Sequence, residues 1–282
     1  MFALDQAINP LRFDYEEQLY QRLLTYEEVK AWHNDEKRQQ YFTLHQRHLL
    51  GTAVKITSTL KPTIYKIYQQ CLQRLGENFT GDLYVRQSSD YNAQVYAHEQ
   101  HFDILLTSSL VNAFTENELS FVIGHELGHV LFQHAEVPSN YLLFNEERPK
   151  ISTQLAQRLF QWSRAAEISA DRVGFLMCGD LSTAATAFFK VAGGLAVENE
   201  LHVVQSLRTQ FADIQHLAKK TVGFTATTHP LIPIRFKSLE LMSLDLLQLR
   251  NNHTLPQADM LRKINQQVQT VLMQTDPVNL LL

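Results

Sequence analysis

The feature that most constrains this chain is the stretch from Thr115 to Phe132. Thr115-Glu116-Asn117-Glu118 has the form of a capping box. The Thr hydroxyl accepts from the amide three residues on, and the Glu carboxylate there reaches back to the Thr amide. The helix that starts here carries Leu119, Phe121, Val122, Ile123, Leu127, Val130, Leu131 and Phe132. Those apolar positions go nearly all the way round, which predicts a buried helix. Yet the same helix holds His125, Glu126 and His129. Polar groups left unpartnered in an apolar interior cost about 1–3 kcal/mol or more each. Positions i and i+4 lie one turn apart on one face, so the two imidazoles can reach a single cation. Gly124 and Gly128 sit in the same helix. Each costs about 1 kcal/mol relative to Ala in a helix interior, so they imply that something approaches the helix closely.

His125-Glu126-Leu127-Gly128-His129 is an H-E-x-x-H pattern. It points to His125 and His129 as metal ligands. Glu126, beside them, is placed to take a proton from a metal-bound water. The plainer reading is a buried helix whose His and Glu side chains are paired locally. Catalytic zinc needs a third protein ligand and one open position. The extended pattern H-E-x-x-H-x-x-G-x-x-H is excluded, because Phe132 stands at its glycine and Ala135 at its last histidine. His134 is one residue out of that register and is expected to face elsewhere. Glu167 and Asp171 are i and i+4 on a later helical stretch, among Ala165, Ala166 and Ala170. Small residues let such a helix lie close to another, where two carboxylates need a cation or donors. Glu167 is then the candidate third ligand. Asp171 is the candidate acceptor for the distal N–H of a ligating histidine. A solvated acidic face paired with Arg164 and Arg172 is the other reading of the same spacing.

Composition bounds the rest. The chain has 282 residues, of which 45% are hydrophobic, enough for a sizeable core. A net charge of -4 with scattered basic residues argues against a nucleic-acid partner. Cys71 and Cys178 read as two buried thiols, compatible with a reducing compartment. Met1-Phe2-Ala3-Leu4-Asp5-Gln6 lacks the basic and apolar regions of a secretory signal. No stretch approaches the roughly 18–20 apolar residues of a spanning helix. The default expectation is therefore the cytoplasm. With only 10 Gly and 8 Pro, long helices are favoured.

Residues from about 14 to 76 read as helices with a break near Gly51. Residues 83–85, 94–97 and 103–106 read as short strands of a small, mostly antiparallel sheet. A long helix is expected over about 152–178, closed by Gly179. Others fit about 182–192, 200–219, 233–250 and 257–274, followed by a tail. Residues 136–150 read as irregular, with Tyr141-Leu142-Leu143-Phe144 as an apolar lid or plug. His98, His101, His202 and His216 read as ordinary histidines.

Taken in order, several pieces resemble the CAAX prenyl protease and HtpX-type family of zinc metallopeptidases. They are Asn92-Ala93, then Phe121 to His129, then Glu167-Ile168-Ser169-Ala170-Asp171-Arg172, then Thr228-His229-Pro230 with Arg235. The resemblance covers about residues 60 to 245. It implies a gluzincin, an α+β, mostly helical, zincin-like fold with a small sheet beside the catalytic helix. It implies one zinc ion held by His125, His129 and Glu167, with Glu126 as general base. It also implies a role for His229 near the reacting carbonyl, where it can donate to the oxyanion. Arg235 pairs with Asp171, orients His229, or is a plain surface arginine.

The best-known members are membrane-embedded, and this chain resembles soluble relatives instead. The expected organisation is an N-terminal helical extension over 1–55, a zinc metallopeptidase domain over 56–250, and a C-terminal helix and tail over 251–282. The expected function is zinc-dependent endopeptidase action on a protein or peptide substrate. A substrate strand is expected to add to an edge strand, for which 103–106 is a candidate and an interior strand the alternative. A rival reading is a catalytically silent or latent zinc-stabilised binding protein with an occluded cleft.

Overall fold

The computed structural model describes residues 11–33, 36–76, 80–98, 101–146, 148–218, 227–252 and 258–275. The N-terminal stretch read above as lacking a signal, and the C-terminal tail, lie outside the described residues. In chain order the elements are α1 (Asp14–Leu23), α2 (Glu27–His33), α3 (Glu36–Thr52), β1 (Val54–Lys55), α4 (Pro62–Leu75), β2 (Gly81–Arg86), β3 (Ala93–His98), β4 (His101–Thr107), α5 (Ser108–Ala113) and α6 (Glu116–Leu131). A single 3₁₀ turn at His134–Glu136 follows. Then come α7 (Ser139–Phe144), α8 (Thr153–Cys178), α9 (Leu181–Gly193), α10 (Glu200–Ala218), α11 (Ile232–Asn252) and α12 (Ala258–Thr275). This is an α+β fold, mostly helical, of the zincin-like kind. No helix among the described residues is long and apolar enough to cross a membrane.

The sheet has the order β1-β2-β4-β3. β1 and β3 pair antiparallel to their neighbours, while β2 and β4 run parallel, with Leu83 opposite Ile104. The sheet is therefore mixed, although antiparallel pairings outnumber the parallel one. β4 is interior, so residues 103–106 are not an edge. The edge on the α6 side is β3, which packs against that helix. The two-residue β1 was not legible as a strand, because two residues carry no periodicity.

α8 is the central helix. Ser152 caps it by accepting from the Leu155 amide at 3.1 Å. Every residue from Leu159 to Cys178 is buried. It ends at Gly179, whose φ of 69° is left-handed. The Arg250 guanidinium then donates to the Leu176 carbonyl at 3.1 Å, neutralising a helix C-terminus. The capping box of α6 forms as expected: Thr115 Oγ1 accepts from the Glu118 amide at 3.3 Å, and Glu118 Oε2 accepts from the Thr115 amide at 2.7 Å. Lys190 of α9 donates to the same carboxylate oxygen at 2.7 Å, which ties the helix start to the core.

α6 and α8 lie unusually close, and their glycines are the reason. A Cβ on Gly128 would stand 2.8 Å from the Ala170 Cα. One on Gly124 would stand 2.5 Å from Met177 Cγ, and one on Gly174 2.7 Å from the Phe121 carbonyl oxygen. The small residues of both helices thus let two backbones meet.

One hydrophobic core runs from Leu11 and Phe13 through these helices to Leu272. Residues 139–144 form the short helix α7 rather than an irregular loop. Leu142 is buried, Tyr141 packs on Trp32 at 4.9 Å, and Phe144 packs on Phe160 at 6.1 Å. Cys71 and Cys178 are free and buried, as read from the sequence.

Gly128→Ala should lower stability. Its new methyl meets backbone, so overpacking of about 1–3 kcal/mol outweighs the roughly 1 kcal/mol that alanine returns in helix propensity. Urea denaturation should show a lower midpoint, and an unchanged or higher midpoint would contradict the close contact.

Candidate metal centre

The helical spacing places His125 and His129 on one face of α6, and the close contact brings the Glu167 face of α8 against it. The two imidazoles and both oxygens of the Glu167 carboxylate converge. His125 Nε2 is 3.2 Å from His129 Nε2 and 3.6 Å from Glu167 Oε2, and His129 Nε2 is 3.4 Å from Glu167 Oε1. Two imidazole nitrogens and a carboxylate oxygen about 2.0–2.1 Å from a tetrahedral zinc would stand roughly 3.3 Å from one another. The spacings therefore fit such an ion. Glu167 Oε2 is buried and makes no hydrogen bond, although Arg235 Nη1 stands 3.1 Å away as an ion pair. Imidazole and carboxylate together are also the donor chemistry that zinc takes.

Behind His125, Asp171 Oδ1 lies 3.0 Å from Nδ1. That carboxylate needs a proton on Nδ1, which leaves the lone pair on Nε2, facing the cluster. Arg235, from the first turns of α11, binds Asp171 in two-pronged fashion, with Nε 2.8 Å from Oδ2 and Nη2 2.6 Å from Oδ1. It also stacks over Phe188 at 4.9 Å. It is a buried arginine, not a surface one. Arg164 donates to the Thr227 carbonyl at 2.9 Å, and Arg172 to Asn265 Oδ1 at 2.7 Å. Glu167 and Asp171 are thus not a solvated acidic face: both are buried.

Charge follows from this packing. Burial alone would raise the Glu167 and Asp171 carboxyls, but the Arg235 guanidinium and the imidazoles hold both below the ordinary carboxylate range. Burial raises Glu126, and the neighbouring Glu167 charge adds to that. Glu126 is buried and follows His125 directly in α6.

His229 precedes α11. Its Nε2 lies 3.6 Å from Glu167 Oε1 and its ring is mostly exposed, with Thr228 Oγ1 3.0 Å from Nδ1. Among the described residues, one trio with all donors within 4.8 Å of one another is His125, His129 and Glu167, and His229 lies beside it. A second trio, Asp82, His101 and Asp103, lies in the sheet, where Lys55 Nζ already pairs with Asp82 at 2.6 Å.

His134 stays outside the cluster of converging donors, as its register implied, but its contact with His129 was not legible in the sequence. In a continuous helix, five residues beyond His129 would point well away from it. The helix instead ends at Leu131, and Gln133 adopts a left-handed φ of 58° and ψ of 38°. The chain turns back, and His134 Nδ1 comes 2.7 Å from His129 Nδ1. His134 Nε2 then faces Glu16 of α1, 3.7 Å from Oε2. Glu16 is fully buried and held by Arg12 at 2.7 and 2.8 Å, Trp162 Nε1 at 3.1 Å and Ser169 Oγ at 3.3 Å. No local pattern links Arg12 and Glu16 to residues more than a hundred positions away.

The family model for peptidase family M48 matches residues 59–146 and 135–243, more than half of the chain. This chain belongs to peptidase family M48. It is 29% identical over 164 residues to the plastoglobule-localized metallopeptidase 48, chloroplastic, of Arabidopsis thaliana, covering 55% of this chain and 47% of that protein. It is 26% identical over 170 residues to the Protease HtpX homolog of Ralstonia nicotianae, covering 49% of this chain and 59% of that protein. The chain spans about half the length of the curated relatives it matches. No solved structure matches it significantly. In this member of family M48, α1, α2 and α3 lie ahead of the matched region.

The network around Glu16 carries a pH signature. Burial opposes its charge, yet Arg12 and His134 pull its pKa from 4.5 down to about 2. A depressed carboxylate stabilises the fold fully above its unfolded pKa, and that contribution is lost as pH falls toward the folded one. It amounts to about 3 kcal/mol. Urea midpoints between pH 5 and pH 3 should fall more steeply for the wild type than for Glu16→Gln, and parallel slopes would contradict the ionised assignment.

Proposed function

We propose that this M48 chain is a zinc-dependent endopeptidase acting on proteins or peptides. The ligands are His125, His129 and Glu167, with Glu126 as the general base. The observation that carries this reading is the convergence, from two helices, of two imidazole nitrogens and the two oxygens of one carboxylate at 3.2–3.6 Å. Zinc bound there would supply the Lewis acidity that makes water nucleophilic near neutral pH and polarises a carbonyl.

The remaining groups have separable tasks. Asp171 holds the proton on His125 Nδ1 and so keeps Nε2 free to ligate. Arg235 offsets the two buried carboxylates and keeps both ionised, which a single buried charge could not remain without a partner. Glu126 takes the proton of the attacking water and returns it to the leaving amine. His229, exposed and beside Glu167, is placed to donate to an oxyanion as it forms.

The edge strand β3 supports the endopeptidase reading. It lies against α6 and has β4 on one side only. An extended peptide can add to the other side through main-chain hydrogen bonds. Such binding needs no free terminus of the substrate.

Digestion of a peptide library with and without a chelator tests the activity. Cleavage should appear at internal bonds and stop when metal is removed. Stoichiometric zinc with no cleavage would favour a silent, metal-stabilised binding protein. Glu126→Gln should keep its zinc and lose about 10²–10⁴-fold in turnover, and wild-type turnover in that variant would remove it as the base. Glu167→Ala should retain zinc poorly by elemental analysis, and a full equivalent of zinc would take it out of the ligand set.

A further inference from the structure

We propose that Glu16 of α1 is a positioning residue of the metal centre, acting on His129 through His134. The inference rests on the metal-centre reading of His125, His129 and Glu167. Each ligating imidazole must present a bare Nε2, so each must carry its proton on Nδ1. For His125 the Asp171 carboxylate enforces this directly, at 3.0 Å. For His129 the facing group is the Nδ1 of His134, at 2.7 Å. Two nitrogens that close share one proton. If His129 donates it, His134 must accept through Nδ1 and keep its own proton on Nε2.

Glu16 selects that arrangement. His134 Nε2 is buried, makes no hydrogen bond, and faces Glu16 Oε2 at 3.7 Å. That is longer than a hydrogen bond, but a buried carboxylate at this distance still favours N–H over a lone pair pointed at it. The opposite tautomer would aim a lone pair at the negative charge. It would also put a proton on His129 Nε2, where the metal must bind. Glu16 is in turn fixed from two sides, by Arg12 in the segment just before α1 and by Trp162 and Ser169 of α8. The His134 ring stands edge-on to Trp162, with centroids 5.5 Å apart and planes at 86°. The left-handed Gln133 shows that the backbone departs from its easy path to put His134 there.

Both imidazoles are therefore governed by a carboxylate, one directly and one through a second imidazole. The second carboxylate comes from α1, ahead of residues 59–243 that match the family. The N-terminal helix is by this account part of the metal centre and not only a packing element.

The test uses the full chain as wild type, Glu16→Gln, His134→Phe and the double variant. Zinc affinity is measured by chelator competition, and the visible spectrum of the Co(II)-loaded protein reports the ligand field. Glu16→Gln should weaken zinc about tenfold or more and shift the Co(II) bands, with Glu16→Asp recovering most of the affinity. In the His134→Phe background the same Glu16→Gln change should alter affinity by less than about twofold, because the path to His129 is gone. An unchanged affinity in Glu16→Gln, or an equal loss in both backgrounds, overturns the proposal. Imidazole ¹⁵N shifts of the zinc-loaded wild type need no variant to fold. They should show His134 protonated at Nε2, and the Nδ1–H form would overturn it. A wild type that binds zinc in a cluster with these failures loses the Glu16 role alone, whereas one that binds neither ion overturns the metal-centre reading with it.

Discussion

The contact between the backbones of α6 and α8 is the constraint on which the rest depends. Gly124, Gly128, Ala170 and Gly174 leave no room for larger side chains where the helices touch. Packing at ordinary helix separations of 8–10 Å would hold Glu167 farther from the imidazoles. The carboxylate is a short arm from a long helix, and the donor atoms meet at 3.2–3.6 Å because the backbones themselves are close. The helix-propensity cost of the glycines, about 1 kcal/mol each, is offset by the burial that the contact allows.

That closeness creates an electrostatic problem which the fold solves from a third helix. Glu167 and Asp171 project from one face of α8 into a buried space. Two carboxylates there could not both stay ionised without a compensating charge. Arg235 reaches both from α11, at 3.1 Å from Glu167 and 2.6 Å from Asp171. Its chain position, just after Thr228-His229-Pro230, means that one short segment delivers the guanidinium to the carboxylates and the His229 ring to the same neighbourhood. The far side of the cluster is closed by a different route, through His134 and Glu16. The two imidazoles thus sit between two buried anionic systems, each with its own arginine.

Much of this was legible without coordinates, for identifiable reasons. Thr115 and Glu118 announced the start of α6, and Ser152 and Gly179 frame the long α8, because caps and glycine stops are local chemistry. The strands at 83–85, 94–97 and 103–106 were found because short apolar and aromatic runs bounded by turn residues are also local. What stayed open or failed was relational. Residues 103–106 read equally as an edge or an interior strand, because strand order depends on which partners arrive, and β2 came to lie beside β4. Residues 139–144 looked irregular between two prolines, yet Leu142 had a core to enter, and that burial stabilises a short helix. The three open readings of Arg235 could not be narrowed by spacing, since its partner Asp171 lies 64 positions away.

The amino-acid sequence by itself determined that two imidazoles share a helix face, that a glutamate stands beside them, and that a second helix carries Glu167 and Asp171 one turn apart. Those are consequences of a 3.6-residue period, which needs no other part of the molecule. Only the tertiary structure decided which groups lie behind the imidazoles. His134 returns to His129 because the helix ends and Gln133 turns left-handed, and Glu16 arrives from an element at the other end of the chain. Orientation beyond a helix terminus and contact between distant segments are set by packing of the whole core, and no periodicity in the sequence encodes them.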